Sequence, residues 1–301
     1  MGAIDVHVHA FPDEIAARAM ERLRSEGDIP SYGDGTVGGL LASMDSAGID
    51  AAFVCAIATK PSQAEGLLKW CEKIRSERIE PLASVHPADP EAPRWIRRIA
   101  EAGLAGIKLH PMYQEFAVDE ERVDPLYAAA GEQEILVACH CGLDLAYPPD
   151  DDRASPPRYA RVLDKFPDLR LLCTHMGGWR SWELVEEHLL GRPVFLETSF
   201  SLKELGPQRS VDMIRRHGVE RVLFGSDWPW SGQAEAVRIV QAVGLTSQEQ
   251  RAIFHANAAL LRVPRPKGRP DDPGGSCTPP REQGLSGRPG GRNGSPRAVG
   301  H

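Results

Sequence analysis

The chain has 301 residues, of which 42% are hydrophobic and 26% are charged. These fractions are typical of a globular protein and exclude a disordered or fibrous chain. The formal net charge of −7 argues against a nucleic-acid or anionic-membrane partner for the whole domain. The sequence shows neither a membrane-length apolar run nor a basic, apolar signal segment at its start. We therefore expect a cytoplasmic protein that acts on a small molecule.

The last part of the chain differs in composition from the rest. Residues 263–301 are rich in Pro, Gly, Arg and Ser and carry seven basic against three acidic residues. Such a segment cannot bury a core, so a disordered tail is predicted after a folded domain over residues 1–262. Aromatic residues do not interleave with its charges, which favours a solvated extension over a nucleic-acid arm.

Within the folded domain, short apolar runs alternate with longer amphipathic ones, a pattern that predicts βα units and a parallel sheet. The predicted strands are residues 3–9, 51–58, 80–86, 106–110, 135–141, 169–175, 194–198 and 221–226. The helices predicted between and after them are residues 61–75, 92–102, 124–131, 158–166, 182–190, 208–216, 233–243 and 247–261.

Eight strands in this span favour an α/β fold of the (β/α)8 TIM barrel type, with an open doubly wound sheet as the alternative. A Gly-rich phosphate motif, which a dinucleotide fold would need, does not follow the first strand. The long first connection, residues 10–50, is predicted to hold two helices, 13–25 and 36–47. Such a loop would lie over the mouth of the barrel and shape the site.

The positions of the histidines are the strongest functional signal. Six of the ten histidines fall at the carboxyl ends of predicted strands: His7, His9, His86, His110, His140 and His175. Those ends converge on the face where barrel enzymes keep their catalytic residues. One such histidine alone would be an ordinary structural residue, but six together predict a site.

His7 and His9 lie two residues apart on a strand, so both side chains project to one side and can bind one cation. Asp227 follows the eighth strand, where it is either a turn or capping residue or a metal ligand that accepts a proton from water. With His140 and His175 at other strand ends, this set predicts a divalent metal. Imidazole and carboxylate ligands suit Zn²⁺ first, with Mn²⁺, Fe²⁺ or Co²⁺ as alternatives.

Lys108 and His110 share a face of the fourth strand. A lysine inside a barrel is costly unless it is paired, binds an anion or is modified. Lys108 could therefore bind a substrate carboxylate, bridge a second metal ion as a carbamate, or form a buried ion pair. In the segment Cys139-His140-Cys141, alternation along the strand turns both cysteines away from His140, which predicts one ligand and two core residues.

Several motifs, taken in order, resemble the amidohydrolase-related family of TIM-barrel metal-dependent hydrolases, the branch that contains aminocarboxymuconate-semialdehyde decarboxylase. The resemblance spans residues 3–261 and is carried by Asp5-Val6-His7-Val8-His9, Gly106-Ile107-Lys108-Leu109-His110-Pro111, His140-Cys141-Gly142, Thr174-His175-Met176-Gly177-Gly178 and Gly225-Ser226-Asp227-Trp228-Pro229. It implies that a single metal is held by His7, His9, His140 and Asp227. It also implies that His175 lies beside the metal-bound water or the substrate.

The leading hypothesis is metal-assisted hydrolysis of a small amide, lactone or ester-like bond, in which Asp227 takes a proton from water and His175 stabilises the developing oxyanion. A substrate carboxylate is expected to bind Lys108, His110 or Arg180. The alternative hypothesis is decarboxylation of a small unsaturated or aromatic acid, which uses the same ligands. A third is a non-catalytic binding barrel. A homodimer is compatible with the sequence.

Overall fold

Eight strands lie side by side in chain order within residues 2–261, the part of the chain that the computed structural model describes. Each strand pairs in parallel with the next one along the chain. The strands are β1 (Ala3–Val8), β2 (Ile49–Cys55), β3 (Ile79–Ala83), β4 (Gly106–Leu109), β5 (Leu136–Cys139), β6 (Leu171–Cys173), β7 (Phe195–Glu197) and β8 (Val222–Leu223).

Backbone hydrogen bonds between the two terminal strands close the sheet. Asp227 N donates to His7 O at 2.7 Å, and His9 N donates to Trp228 O at 2.6 Å. A parallel bridge also joins Val8 to Trp228. The (β/α)8 TIM barrel predicted from the sequence is therefore confirmed, and the open doubly wound sheet is wrong.

Helices connect the strands and surround the barrel. They are α1 (Asp13–Gly27), α2 (Val37–Ala47), α3 (Ala64–Ile74), α4 (Ala92–Glu101), α5 (Asp124–Glu132), α6 (Pro156–Lys165), α7 (Trp182–His188), α8 (Leu202–His217), α9 (Gln233–Ala242), α10 (Ser247–Arg251) and α11 (Asn257–Ala259). The long first connection holds α1 and α2, as predicted. None of the helices in residues 2–261 is long and apolar enough to cross a membrane.

Local sequence signals account for the ends of α2. The Thr36 side chain accepts a hydrogen bond from Gly39 N at 2.9 Å, which satisfies a donor of the first turn. The helix ends at Gly48, whose φ of 70° is in the left-handed region that glycine adopts without steric cost. The chain then turns directly into β2.

The strand residues divide between two apolar layers. Phe53, Leu136 and Leu172 belong to a cluster of strand side chains, whereas their neighbours Val54 and Val137 belong to the larger cluster that includes the surrounding helices. Because successive side chains of a strand point to opposite faces, the first cluster fills the barrel and the second packs the helices onto it. The filled interior leaves space for a site only at the strand ends.

The closing helix predicted over residues 247–261 is interrupted in the structure. After α10, residues Ala252–Ala256 form a π-helical turn in which Asn257 N donates to Ala252 O. This wider turn leaves the carbonyl of Ile253 free to accept a hydrogen bond from Phe224 N at 3.0 Å. The interruption thus ties the closing segment to the end of β8.

The strands are shorter than predicted. His7 lies within β1, whereas His9, His110 and His140 are the first residues after β1, β4 and β5. His175 and Asp227 have φ values of 58° and 62°, which no extended strand can include. The predicted tail and the boundary at residue 262 lie outside the described residues.

The carboxylate of Asp5 joins the two terminal strands on the side that faces α9. It accepts hydrogen bonds from His7 N at 3.2 Å, Ser226 N at 3.0 Å, Ser226 Oγ at 2.5 Å and Gln233 Nε2 at 2.9 Å. Burial raises the pKa of Asp5 to about 7, although these donors oppose the rise. One fully buried side chain therefore connects β1, the end of β8 and α9.

We expect Asp5→Asn to lower the free energy of unfolding by about 2 kcal/mol or more, because the amide turns a donor toward groups that are themselves donors. Urea denaturation of both proteins, monitored by tryptophan fluorescence, measures the difference. Asp168→Asn, at an exposed loop position, is the matched control and should be neutral. Equal stability of Asp5→Asn and the wild type would contradict the role given to Asp5.

His217 lies fully buried at the end of α8, with Nε2 donating to Val194 O at 2.8 Å and Nδ1 accepting from Gly191 N at 3.3 Å. Burial lowers its pKa to about 4. The folded protein therefore keeps His217 neutral while the unfolded chain takes up a proton below its ordinary pKa of about 6.5. Stability contributed by neutral His217 is complete above that pH and falls as the pH drops toward 4.

At pH 5 this linkage should cost about 2 kcal/mol of unfolding free energy relative to pH 7.5. His217→Gln, which does not titrate, should lose correspondingly less over the same interval. Denaturation curves at the two pH values give the change in unfolding free energy for each protein, and the two changes are then compared. An identical pH dependence in the two proteins would contradict the assignment.

Candidate metal centre and active site

The carboxyl ends of the strands enclose a cavity of about 270 Å³. Its floor carries the polar residues predicted from the sequence, and its walls are mostly apolar and aromatic. The predicted site residues that line it are His7, His9, Lys108, His110, His140, His175 and Asp227. The structure thus brings together side chains that lie on or follow five strands and are separated by up to 220 positions in the chain.

Three of the four predicted metal ligands form a tight triangle. His7 Nε2 lies 3.2 Å from His9 Nε2, and Asp227 Oδ1 lies 3.4 Å from the first and 3.1 Å from the second. His7 is 1% exposed and Asp227 8%. All three atoms therefore face one point that is almost completely shielded from solvent.

The hydrogen bonds on the far side of each ring determine which nitrogen carries the proton. His9 Nδ1 lies 3.0 Å from Cys55 O, a carbonyl that can only accept, so Nδ1 donates. His7 Nδ1 lies 3.0 Å from Glu197 Oε1. Burial opposes ionisation of Glu197, but its hydrogen bonds and the neighbouring histidines outweigh that effect and lower its pKa to about 2. His7 Nδ1 therefore donates to a carboxylate.

In the neutral rings, both Nε2 atoms consequently direct lone pairs at each other and at Asp227. Burial lowers the pKa of His7 to about 4, so its neutral form dominates. Burial opposes ionisation of Asp227 as well, yet the adjacent histidines hold its pKa well below the usual range. Asp227 Oδ1 is buried and accepts no hydrogen bond within residues 2–261. The three atoms converge on one point, His7 Nε2 also has Lys108 Nζ as a neighbour at 3.1 Å, and this donor set fits a divalent cation.

His140, the fourth predicted ligand, lies beside this triangle rather than within it. Its Nε2 donates to Leu143 O at 3.0 Å, and its Nδ1 lies 3.2 Å from His175 Nε2. His140 groups instead with His110 and Asp144, whose candidate ligand atoms lie within 4.8 Å of one another. The described residues therefore offer a three-ligand core with His140 close by.

His175 is held by a chain of hydrogen bonds that ends on Glu197. Its Nδ1 lies 2.8 Å from Ser199 Oγ, and that hydroxyl donates to Glu197 Oε1 at 2.7 Å. Since the hydroxyl proton is already donated, Ser199 Oγ accepts from His175 Nδ1. Nε2 of His175 is then the nitrogen that is available to the cavity and to His140.

Lys108 lies completely inside the barrel, with Nζ 3.1 Å from His7 Nε2. His110, two residues further along the chain, stacks on His140 with ring centroids 4.2 Å apart. Its Nε2 lies 3.3 Å from Asp144 Oδ2. Burial and nearby Lys108 lower the pKa of His110 by more than the pairing with Asp144 raises it. Lys108 thus places an amine next to the triangle, and His110 pairs with Asp144 beside it.

Arg180, the third residue predicted to bind substrate, lies elsewhere. Its guanidinium pairs with Glu204 at 3.0 and 3.1 Å and lies 4.3 Å from the ring centroid of Trp179. Trp179 lines the cavity, but Arg180 is not among the described residues that do so. The structure therefore separates Arg180 from Lys108 and His110.

Glu197 is the functional residue that the sequence analysis missed. It is fully buried at the end of β7 and accepts hydrogen bonds from His175 N at 2.8 Å and Ser199 N at 2.6 Å, in addition to His7. A Cβ on Gly225 would lie 2.2 Å from Glu197 Oε2, so only glycine leaves room for this carboxylate. The available signal was a glutamate inside a predicted barrel strand, which is as costly as Lys108 on the fourth strand.

The two cysteines that flank His140 are core residues, as predicted. Cys139 and Cys141 are both fully buried in the apolar layer under the helices. Cys139 receives a contact from Tyr159 OH at 3.0 Å, and Cys141 Sγ donates to Gly177 O at 2.6 Å. His140 alone of this segment faces the cavity.

The amidohydrolase family model matches residues 4–261. The chain therefore belongs to the amidohydrolase family and is an enzyme of that family. No curated protein matches the sequence.

Solved structures share the fold at low sequence identity. An uncharacterized TIM-barrel protein from Bordetella bronchiseptica matches with a TM-score of 0.67 and 18% identity, over 87% of this chain and 98% of that one. The 5-carboxyvanillate decarboxylase from Novosphingobium aromaticivorans, complexed with manganese and a nitrobenzoic acid, matches with a TM-score of 0.65 and 19% identity, over 86% of this chain and 95% of that one. A dihydroxybenzoic acid decarboxylase from a Polaromonas species, with bound manganese and 2-nitroresorcinol, matches with a TM-score of 0.63 and 17% identity, over 86% of this chain and 96% of that one.

We expect the purified chain to bind manganese or zinc, and His7→Ala to abolish that binding because it removes one corner of the triangle. Glu197→Gln should weaken metal affinity by roughly 10–100-fold, since it loses the carboxylate that orients His7. Equilibrium dialysis followed by elemental analysis measures both effects. His188→Ala, on α7 away from the cavity, is the control, and full metal binding by His7→Ala would contradict the site.

Proposed function

We propose that this enzyme is a metal-dependent decarboxylase of a small aromatic acid, with one divalent cation at His7, His9 and Asp227 and with His140 as a fourth ligand. The observation that carries the proposal is the buried triangle of lone pairs next to the Lys108 ammonium. A carboxylic acid is the substrate class that can bind a cation and a lysine at once. Two decarboxylases with the same fold, each described with manganese, support this reaction over hydrolysis.

When bound, the cation would act as a Lewis acid that holds and polarises substrate oxygens. The ligand set suits zinc, whereas the decarboxylases of similar fold contain manganese. We therefore expect either metal to bind at the triangle, and the turnover rates of the manganese- and zinc-loaded enzyme to differ.

The aromatic side chains of the walls, Phe11, Tyr113, Trp179, Phe200 and Trp230, suit a flat ring. Lys108 Nζ would donate to the carboxylate or to an adjacent phenolic oxygen of that ring, and His110, held by Asp144, would line the same part of the cavity. A hydroxybenzoic acid offers both oxygens on neighbouring carbons. Its hydroxyl group also makes the ring electron-rich enough to accept a proton.

Decarboxylation exchanges the carboxylate for hydrogen at one ring carbon. A proton is added to that carbon, the bond to the carboxylate breaks, its electron pair restores the aromatic ring, and carbon dioxide leaves. His175 Nε2 is the candidate proton donor in its doubly protonated form. Ser199 and Glu197 support that form on the Nδ1 side, while burial lowers the pKa of His175 so that the proton is readily given up.

Hydrolysis of an amide, lactone or ester-like bond, the leading hypothesis from the sequence, becomes the second candidate. The family description, amidohydrolase, favours it. In this reaction Asp227 Oδ1 would accept a proton from a water molecule, and His175 would stabilise the oxyanion. The same residues serve both reactions, so only turnover separates them.

The direct test is to incubate the manganese- and zinc-loaded chain with a panel of hydroxybenzoic acids in deuterated water. We expect carbon dioxide and a phenol that carries one deuterium at the former carboxylate position. His175→Asn should lower turnover by about 10²–10⁴-fold while retaining the metal, and His188→Asn should be unchanged. Hydrolysis of lactones or amides without carbon dioxide release would reverse the order of the two candidates.

Metal stoichiometry tests the role of Lys108. With a free amine, one metal per chain is expected, and Lys108→Met should retain it while raising KM for acids. Close to two metals per chain, together with a mass increase of Lys108 by one carboxylate, would contradict the single-metal proposal.

A further inference from the structure

The cavity has a second part that the proposed chemistry does not use. Helix α1 lines it with Ile15, Leu23 and Gly27. These positions are separated by eight and four residues and therefore lie on one face of the helix. Ile15 and Leu23 are not part of the apolar core clusters, and the residues of this helix that are buried are Ala16 and Met20.

Helix α3 and two connecting segments also contribute apolar residues to the lining. Leu67 and Trp70 line the cavity from α3, Ile57 from the loop after β2, and Ile29 from the segment after α1. Leu67 and Trp70 are only partly buried although they pack against the core. We call the space between Ile15, Leu23, Ile29, Leu67 and Trp70 the apolar wing of the cavity.

Charge is segregated between the two parts. Of the described residues that line the cavity, those with formally charged side chains are Lys108, Asp144 and Asp227, all of which follow or lie on barrel strands. Among residues 2–261, the other polar side chains in the lining, apart from the histidines and Tyr113, include Thr59 and Gln63, which are uncharged and lie close to Ile57 and Leu67 in the chain. An ionised group in the wing would lose its hydration without gaining a partner, whereas an apolar group would be stabilised there.

We propose that the substrate is an aromatic acid that carries an uncharged apolar substituent, with the carboxylate at the strand ends and the substituent in the wing between α1 and α3. This inference rests on the proposed decarboxylase function and specifies its substrate class. The wing and the metal triangle line one continuous cavity, so a single ligand can reach both. A single-ring acid without a substituent would leave the apolar face of α1 exposed to water.

The experiment uses the manganese-loaded full chain and 2-hydroxybenzoic acids that carry alkyl chains from methyl to hexyl at carbon 4 or 5. Binding is measured by calorimetry, and turnover by carbon dioxide release. We expect affinity and kcat/KM to rise about fourfold for each buried methylene until the wing is filled. Acids of similar length with a terminal carboxylate should show no gain.

Two variants assign the effect to the wing. Leu23→Asp places a charge there and should remove at least tenfold of the gain from a butyl chain, while binding of the unsubstituted acid changes less than threefold. Leu23→Trp should shift the optimum to shorter chains, because it fills the wing without adding charge. Ala17→Asp adds the same carboxylate to the exposed face of α1 and should leave both series unchanged.

The outcomes separate the two proposals. Turnover that is independent of chain length would overturn the wing while the decarboxylase function stands. Chain-dependent binding without carbon dioxide release from any acid would overturn the function, and the wing would remain as a binding site. Failure of every acid to bind would overturn both.

Discussion

The hydrogen bond from Asp227 N to His7 O, 2.7 Å long, is the contact on which the site depends. It joins the first strand to the segment after the last one and thereby closes the barrel. The two residues that it connects are also two corners of the candidate metal triangle. Because Asp5 holds the same seam from the outer side through Ser226 and Gln233, barrel closure and assembly of the metal centre are one event.

This arrangement has an electrostatic cost that a cation would offset. Folding buries two imidazole lone pairs and a carboxylate oxygen within 3.1 to 3.4 Å of one another, and burial of unpaired polar atoms is unfavourable. Glu197 and the carbonyl of Cys55 worsen the mutual repulsion, since they fix the protons on the far nitrogens. The same two contacts orient the candidate ligands, so a metal bound there would gain affinity at the expense of apoprotein stability.

The barrel and most of its site could be predicted from the sequence because both depend on order along the chain. Alternating runs predict eight strands, and convergence of strand ends brings His7, His9 and Asp227 together without further information. The role of Glu197 could not be predicted in this way, since its partner His7 lies 190 residues away and the contact requires the gap at Gly225. Arg180 also follows a strand, but its side chain pairs with Glu204 and is not among the described residues that line the cavity, a placement that sequence order does not reveal.

In the function that we propose, chemistry and substrate choice reside in different layers of this molecule. The strand ends place the polar groups, and their positions are constrained by barrel geometry that any member of the fold must satisfy. The wing is built from α1 and α3, which pack outside that geometry and can change without disturbing the seam. In the sequence, apolar residues such as Ile15 and Leu23 indicate only an amphipathic helix. Its apolar face could be assigned to a substrate, and not to the core, only after the core was seen to be filled without it.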